Sequence, residues 1–221
     1  MEKLSLLLRD STSQAHREAE GADFIKKLFR GSFSEGEYRG YLWALREIYR
    51  VLEEEMHRCQ DDPALELVFF PELFRSQALE QDLQAWTQGL ELPISPELKR
   101  AVSAYTEHLQ ELGKSGPQLL VAHAYVRYLG DLSGGEILGR VLRSRFEGHS
   151  FEFHDYEFSD FDQKKNLYRE RLDQIGEMMP EQIEALCEEA ATAFKLNGLV
   201  FQALSASGVS EVKTATAEVR V

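Results

Sequence analysis

Several residues have the types and spacing to do chemistry. On a helix through residues 5–21, Arg9, Ser13, His16 and Glu20 fall at i, i+4, i+7 and i+11. A cation, a small polar group, an imidazole and a carboxylate therefore share one face. An imidazole presented this way can serve as a metal ligand or as an ordinary surface histidine. Further on, YVRYLGDLSGGEILG (Tyr125 to Gly139) places Gly130, Gly134, Gly135 and Gly139 inside a stretch that the flanking apolar residues mark as helical. Each interior glycine costs roughly 0.8–1 kcal/mol against alanine, about 3–4 kcal/mol for the four. Close helix packing, a break between two helices, or a flat ligand lying directly on the backbone would each account for that loss. Lys165 and Arg169 are four apart, so one helical face presents both charges. Glu54 and His57 make a single Glu-x-x-His, half the signature of a di-iron carboxylate bundle, and the absence of a second copy argues against that chemistry. His108, His123, His149 and His154 have no ligand-spaced partner and read as ordinary histidines.

The elements that must position these groups are helical throughout. Ser34 and Glu37 form a capping-box pattern, and after it Tyr41, Leu45, Ile48 and Leu52 recur at steps of four, three and four, predicting a long amphipathic helix to about Cys59–Pro63. A short segment opens at Pro71 and carries Leu79, Leu83 and Trp86. Gly89 and the Pro93–Pro96 cluster then break the chain before the stripe Leu98, Val102, Tyr105, Leu109. Helix is expected again over 118–146, 162–178 and 180–204, with Pro180 at a first helical position. Residues 147–161, aromatic and acidic without either period, read as a structured loop. Residues 206–221 read as a flexible tail. The expectation is an all-α single domain over 1–205, of about eight helices.

Composition bounds the partners. The 221 residues carry 25 Lys and Arg against 38 Asp and Glu, a net charge of −13, which is unsuited to binding nucleic acid. With 43% hydrophobic residues the chain can bury a sizeable core. No apolar run approaches the roughly 18 residues of a membrane helix, and no secretory signal is visible. Cys59 and Cys187 lack partner motifs, so a reducing, cytoplasmic setting is expected.

The glycine segment in its longer context, LLVAHAYVRYLGDLSGGEIL (Leu119 to Leu138), closely resembles the signature of haem oxygenases, and SQAHREAEGADFIKKLFRG (Ser13 to Gly31) resembles the same family's proximal-histidine helix. YRVLEEEM, ALEQDLQAW, KNLYRERLD and AFKLNGLVF follow in the family's order, and together the matches span most of residues 5–205. The resemblance implies haem between a proximal helix and a kinked, glycine-rich distal helix. Haem would be both substrate and oxygen-activating cofactor, cleaved with O2 and reducing equivalents to biliverdin IXα, carbon monoxide and ferrous iron.

Carried over residue by residue, it makes His16 the axial iron ligand, with Glu20 orienting its second nitrogen. Gly130, Gly134 and Gly135 would let the backbone press on the porphyrin and direct the oxidant toward one meso carbon. Asp131 would hold a proton-supplying water network, assisted by Tyr49 and Arg127. Arg9, Tyr125, Lys165 and Arg169 would hold the propionates, and Asn197, inside AFKLNGLVF, joins the residues that bind haem.

It further implies an electron donor, either a ferredoxin or an NADPH-dependent reductase, and a monomeric, soluble enzyme without the hydrophobic anchor of membrane-bound relatives. Arg9 stands where several relatives have Lys, and Val126 where Thr is common. A non-catalytic haem carrier or sensor with the same pocket, and a thiaminase-like helical protein with another ligand, are the competing expectations.

The acidic charge is unevenly spread. Residues 1–30, 124–145 and 162–171 together hold 14 basic and 9 acidic groups, a net +5, which leaves −18 on the rest. Arg140, Arg143 and Arg145 extend this basic face toward a possible acidic redox partner.

Overall fold

The computed structural model describes residues 2–89 and 91–206, with every side chain among them except that of Glu136. Of the tail expected over 206–221, Ala206 belongs to the last helix and 207–221 lie outside the described residues. Ten α-helices follow one another and no strand occurs among the described residues. They are α1 (Leu4–Glu20), α2 (Asp23–Arg30), α3 (Glu35–Arg58), α4 (Pro63–Val68), α5 (Ser76–Thr87), α6 (Pro96–Ser115), α7 (Leu120–Ala124), α8 (Gly130–Arg145), α9 (Phe161–Met178) and α10 (Ile183–Ala206). Two of the ten, α2 and α4, have eight and six residues and no expected segment of their own, being short for a periodic stripe, while α7 and α8 divide the single helix expected over 118–146.

Helix boundaries follow local chemistry. Ser34 accepts from the Glu37 N–H and Glu37 returns the bond to the Ser34 N–H, completing the expected capping box of α3. Ser95 caps α6 ahead of Pro96, and Asp160 caps α9. Pro180 opens a 3-10 turn, Pro180–Gln182, that leads into α10.

The core is one apolar cluster. α1 lies along α10, and α3 along α5 and α6. α9 approaches α1 so closely that a Cβ at Gly176 would fall 2.8 Å from Leu4 Cβ. α1 buries Leu4, Leu8 and Thr12 and then leaves the core, so His16 and Glu20 stand at its uncovered end.

The 147–160 connection is ordered by one carboxylate. Asp82 of α5, fully buried, accepts from Ser150 Oγ at 2.8 Å, Glu152 N–H at 2.8 Å and Phe153 N–H at 2.9 Å. Three donors satisfy a charge that would otherwise be costly to bury. They fix the turn Glu152–His154 so that Phe151, Phe153 and His154 pack inward beside α8.

Candidate functional site

His16 Nδ1 lies 3.5 Å from Glu20 Oε2, one helical turn on, and the imidazole edge meets the ring of Phe194 at a centroid separation of 5.7 Å. Both side chains are more than half exposed, His16 at 55% and Glu20 at 65%. With Nδ1 turned to the carboxylate, Nε2 is the nitrogen left for a ligand. Earlier on the same helix, Thr12 donates to Leu8 O at 2.6 Å and faces the hydroxyl of Tyr125. Burial pushes the Tyr125 hydroxyl up, against the pull of Thr12 and of the nearby Arg169 and Arg9. Arg9, Tyr125 and Arg169 thus converge from α1, the segment before α8 and α9. Arg9 Nε also reaches Asp10 at 2.9 Å, and Arg169 reaches Asn166 at 3.1 Å. Lys165, one turn before Arg169, pairs with Asp162 at 2.7 Å. Thr12 is the member of this group that spacing alone does not single out.

Between α7 and α8 the chain makes a π turn, Tyr125–Leu129. Such a turn inserts an extra residue into the helix, re-aims the side chains it carries, and is a named cause of helix kinks. Here it sends Tyr125 toward α1 and buries Arg127 and Tyr128. Arg127 Nε donates to Tyr49 Oη at 3.2 Å, and its Nη1 donates to Asn197 Oδ1. Tyr49, fully buried on α3, donates to Asp131 Oδ2. Burial pushes the Asp131 carboxyl up, while Arg127 and Tyr49 oppose the shift. Asn197 donates on to Ala193 O at 2.8 Å and to Tyr105 Oη at 3.5 Å. The four residues Asp131, Tyr49, Arg127 and Asn197, far apart in the chain, are therefore one hydrogen-bonded unit.

The glycines divide into two kinds. Gly130 has ordinary helical angles, φ −62° and ψ −49°, so its backbone does not require glycine. A Cβ built there meets nothing within 4 Å. At Gly134 and Gly135 the nearest atoms are 3.8 Å away, in Phe29 and His154. At Gly139 a Cβ would fall 3.0 Å from Arg143 Nη1 and 3.1 Å from His154 Cβ. Close packing explains Gly139. It does not explain the other three: Gly130 faces open space, and Gly134 and Gly135 are only in ordinary contact range of Phe29, whose ring is half-exposed, and His154. That is the form of a slot for a flat apolar ligand, with polar Asp131 at its inner edge.

The remaining histidines differ more than the sequence indicates. His57 packs between the rings of Phe69 and Phe74, and its neighbour Glu54 pairs with Arg50, so the half-signature holds no metal-ligand set. His154 packs on Gly135 and Gly139; burial, with Arg143 adding to it, depresses its pKa to about 3. His108 and His123, read as ordinary histidines, meet at Glu189. Of the basic face beyond the glycines, Arg143 pairs with Asp155, and the exposed Arg145 lies over the ring of Phe146.

A family model described as Heme oxygenase matches residues 2–203. The chain is 37% identical over 211 residues to "Heme oxygenase 1" of Homo sapiens, covering 91% of this chain and 71% of that protein. It is 34% identical over 212 residues to "Heme oxygenase 1" of Synechocystis, covering 95% and 88%. Among solved structures it resembles heme oxygenase-1 from Synechocystis in complex with heme, at TM-score 0.81 and 32% identity, covering 94% of this chain and 93% of that one. Heme oxygenase from Leptospira interrogans aligns at TM-score 0.83 and 32% identity, covering 90% and 98%.

Proposed function

This chain belongs to the haem oxygenase family of haem-degrading enzymes, and from that premise we propose how its own residues serve the oxidative opening of haem, substrate and cofactor at once, to biliverdin IXα, carbon monoxide and ferrous iron. Bound haem supplies the iron at which dioxygen and electrons meet. The protein's part is to hold the ring, leave room over one edge of it, and move protons.

His16 binds the iron through Nε2, and Glu20 fixes the ring by taking up the Nδ1 side. Arg9, Arg169 and the Tyr125 hydroxyl receive the propionates, with Lys165 joining them by giving up its pairing to Asp162. Gly130, Gly134 and Gly135, where a Cβ would meet nothing closer than 3.8 Å, would let the α8 backbone lie close to a flat ring, and steric contact rather than a polar side chain would then orient it. Asp131 holds water over that edge and passes protons inward. Tyr49 fixes Asp131 directly, Arg127 acts through Tyr49, and Asn197 anchors Arg127. Burial draws the Asp131 carboxyl upward against the pull of Arg127 and Tyr49.

The observation that carries this reading is the bare strip at Gly130, Gly134 and Gly135, which nothing in the protein crowds. The electron donor is an acidic redox protein, a ferredoxin or a reductase domain, approaching the exposed Arg140 and Arg145, and the enzyme acts as a monomer. Haem titration into wild type and His16→Ala tests the reading. The wild type gives an imidazole-ligated spectrum and the variant loses it; an unchanged spectrum moves the ligand elsewhere.

A further inference from the structure

His108 of α6, His123 of α7 and Glu189 of α10 bring three donor atoms together on the side of Asn197 remote from Asp131. Glu189 Oε1 lies 2.7 Å from His108 Nε2 and 2.8 Å from His123 Nε2, and all three ligand atoms fall within 4.8 Å of one another. Both imidazoles converge on the same carboxylate oxygen, although hydrogen bonding alone would be served as well by one N–H on each. Three metal-ligand donor atoms gathered this closely from three helices can close on one cation.

We propose that His108, His123 and Glu189 form a site for one divalent first-row transition cation of the zinc or ferrous-iron kind. Two imidazole nitrogens and a carboxylate are the donors such cations take, whereas magnesium and calcium prefer oxygen. Bonds of about 2.0–2.1 Å at tetrahedral angles place donor atoms about 3.4 Å apart, so the two nitrogen–oxygen spacings would open by about 0.6–0.7 Å while the three atoms stay within the 4.8 Å they now span. Each ligand comes from a different packed helix, which limits further movement. His123, with no exposed side-chain area, has its Nδ1 3.2 Å from Tyr105 Oη; when Nε2 turns its lone pair to a cation the ring proton moves to Nδ1, which then donates to that oxygen as the second-sphere bond of a ligating histidine. The His108 side chain is 33% exposed, which gives the cation a route in and leaves water as the fourth ligand. The site does not depend on the assignment of haem chemistry.

Cobalt(II) titration of the haem-free protein tests the proposal. The expected result is one equivalent bound with the intense visible absorption of a tetrahedral N/O site, displaced stoichiometrically by zinc and unaffected by excess magnesium. An anaerobic arm with ferrous iron shows whether the iron released by the enzyme's own reaction also competes. His108→Ala, at a partly exposed position, and Glu189→Gln each weaken binding by about 100-fold or more, since even outer-sphere partners are worth 10- to 100-fold. Tyr105→Phe weakens it by about tenfold, and His16→Ala leaves it intact. Absence of the band, its persistence in His108→Ala, or its loss in His16→Ala overturns the proposal. Circular dichroism of each variant confirms that loss of binding is not loss of fold.

Discussion

Gly130→Ala separates what the protein needs from what its ligand needs. The residue sits in regular helix, and an added Cβ meets no atom within 4 Å. In the haem-free protein the substitution therefore removes an interior glycine without introducing a clash. Helix propensity and the lower entropy of the unfolded chain predict a gain of about 0.5–1 kcal/mol. For a chain of this size that corresponds to a rise in Tm of about 1–4 °C. On haem the effect reverses, because the methyl occupies the space reserved for the porphyrin face. Overpacking of about 1–3 kcal/mol weakens haem binding by roughly fivefold to more than a hundredfold. Gly139→Ala is the control. Its Cβ falls 3.0 Å from Arg143 and 3.1 Å from His154, so crowding against the buried His154 offsets the gain in helix propensity and the haem-free protein is stabilised less than by Gly130→Ala, while haem affinity changes less. Calorimetry of both haem-free variants, with Soret titrations, reads the contrast. A lowered Tm for haem-free Gly130→Ala, or an unchanged haem affinity, refutes the assignment of that glycine to the ligand.

Further outcomes follow from other contacts. Asp82→Ala strips the partner from two backbone N–H groups and Ser150, and costs about 3 kcal/mol in urea denaturation, where an effect below about 1 kcal/mol would deny the staple its role. His154, with its pKa depressed to about 3, is held neutral in the fold and charges more readily when unfolded. Its contribution is complete above about pH 6.5 and is lost as pH falls toward 3, at up to about 1.4 kcal/mol per pH unit. Denaturant melts at pH 7, 6 and 5 should show a flatter profile for His154→Phe than for wild type; parallel profiles would exclude this group. Reversing Arg140 and Arg145 to Glu slows donor-dependent turnover in a salt-sensitive way while leaving haem affinity alone, and an unaffected rate discards that docking face.

How far the chain can be read without its structure depends on the range of the interaction. The capping box at Ser34 and Glu37, the stripe of α3, and the pairing of His16 with Glu20 involve residues within one or two helical turns, and the structure has them as the spacing predicts. The glycine segment is visible as an anomaly of propensity, but its division is not. Whether a glycine is needed for packing depends on His154, reached only through the loop that Asp82 ties down. Two residues in the same position for that reason read alike. The π turn is likewise silent, because apolar periodicity shifts by one residue there, and the shift resembles a break between helices. His108, His123 and Glu189 are separated by 15 and 66 positions and belong to three helices, so no local spacing could join them. Thr12 escapes for the opposite reason. It is a small residue on a face already marked by Arg9 and His16, and only the arrival of Tyr125 gives it a task.

The central claim is that Asp131, held by Tyr49, Arg127 and Asn197, works beside a glycine-lined haem slot to open the ring. The direct test supplies the purified protein with haem, oxygen and an electron donor and follows the Soret band together with biliverdin. The account predicts that the Soret band decays as biliverdin appears, and that Asp131→Ala binds haem as wild type does but fails to form biliverdin at the normal rate. A wild-type protein whose Soret band persists under reductant and oxygen, or an Asp131→Ala variant that forms biliverdin as fast as wild type, would contradict it.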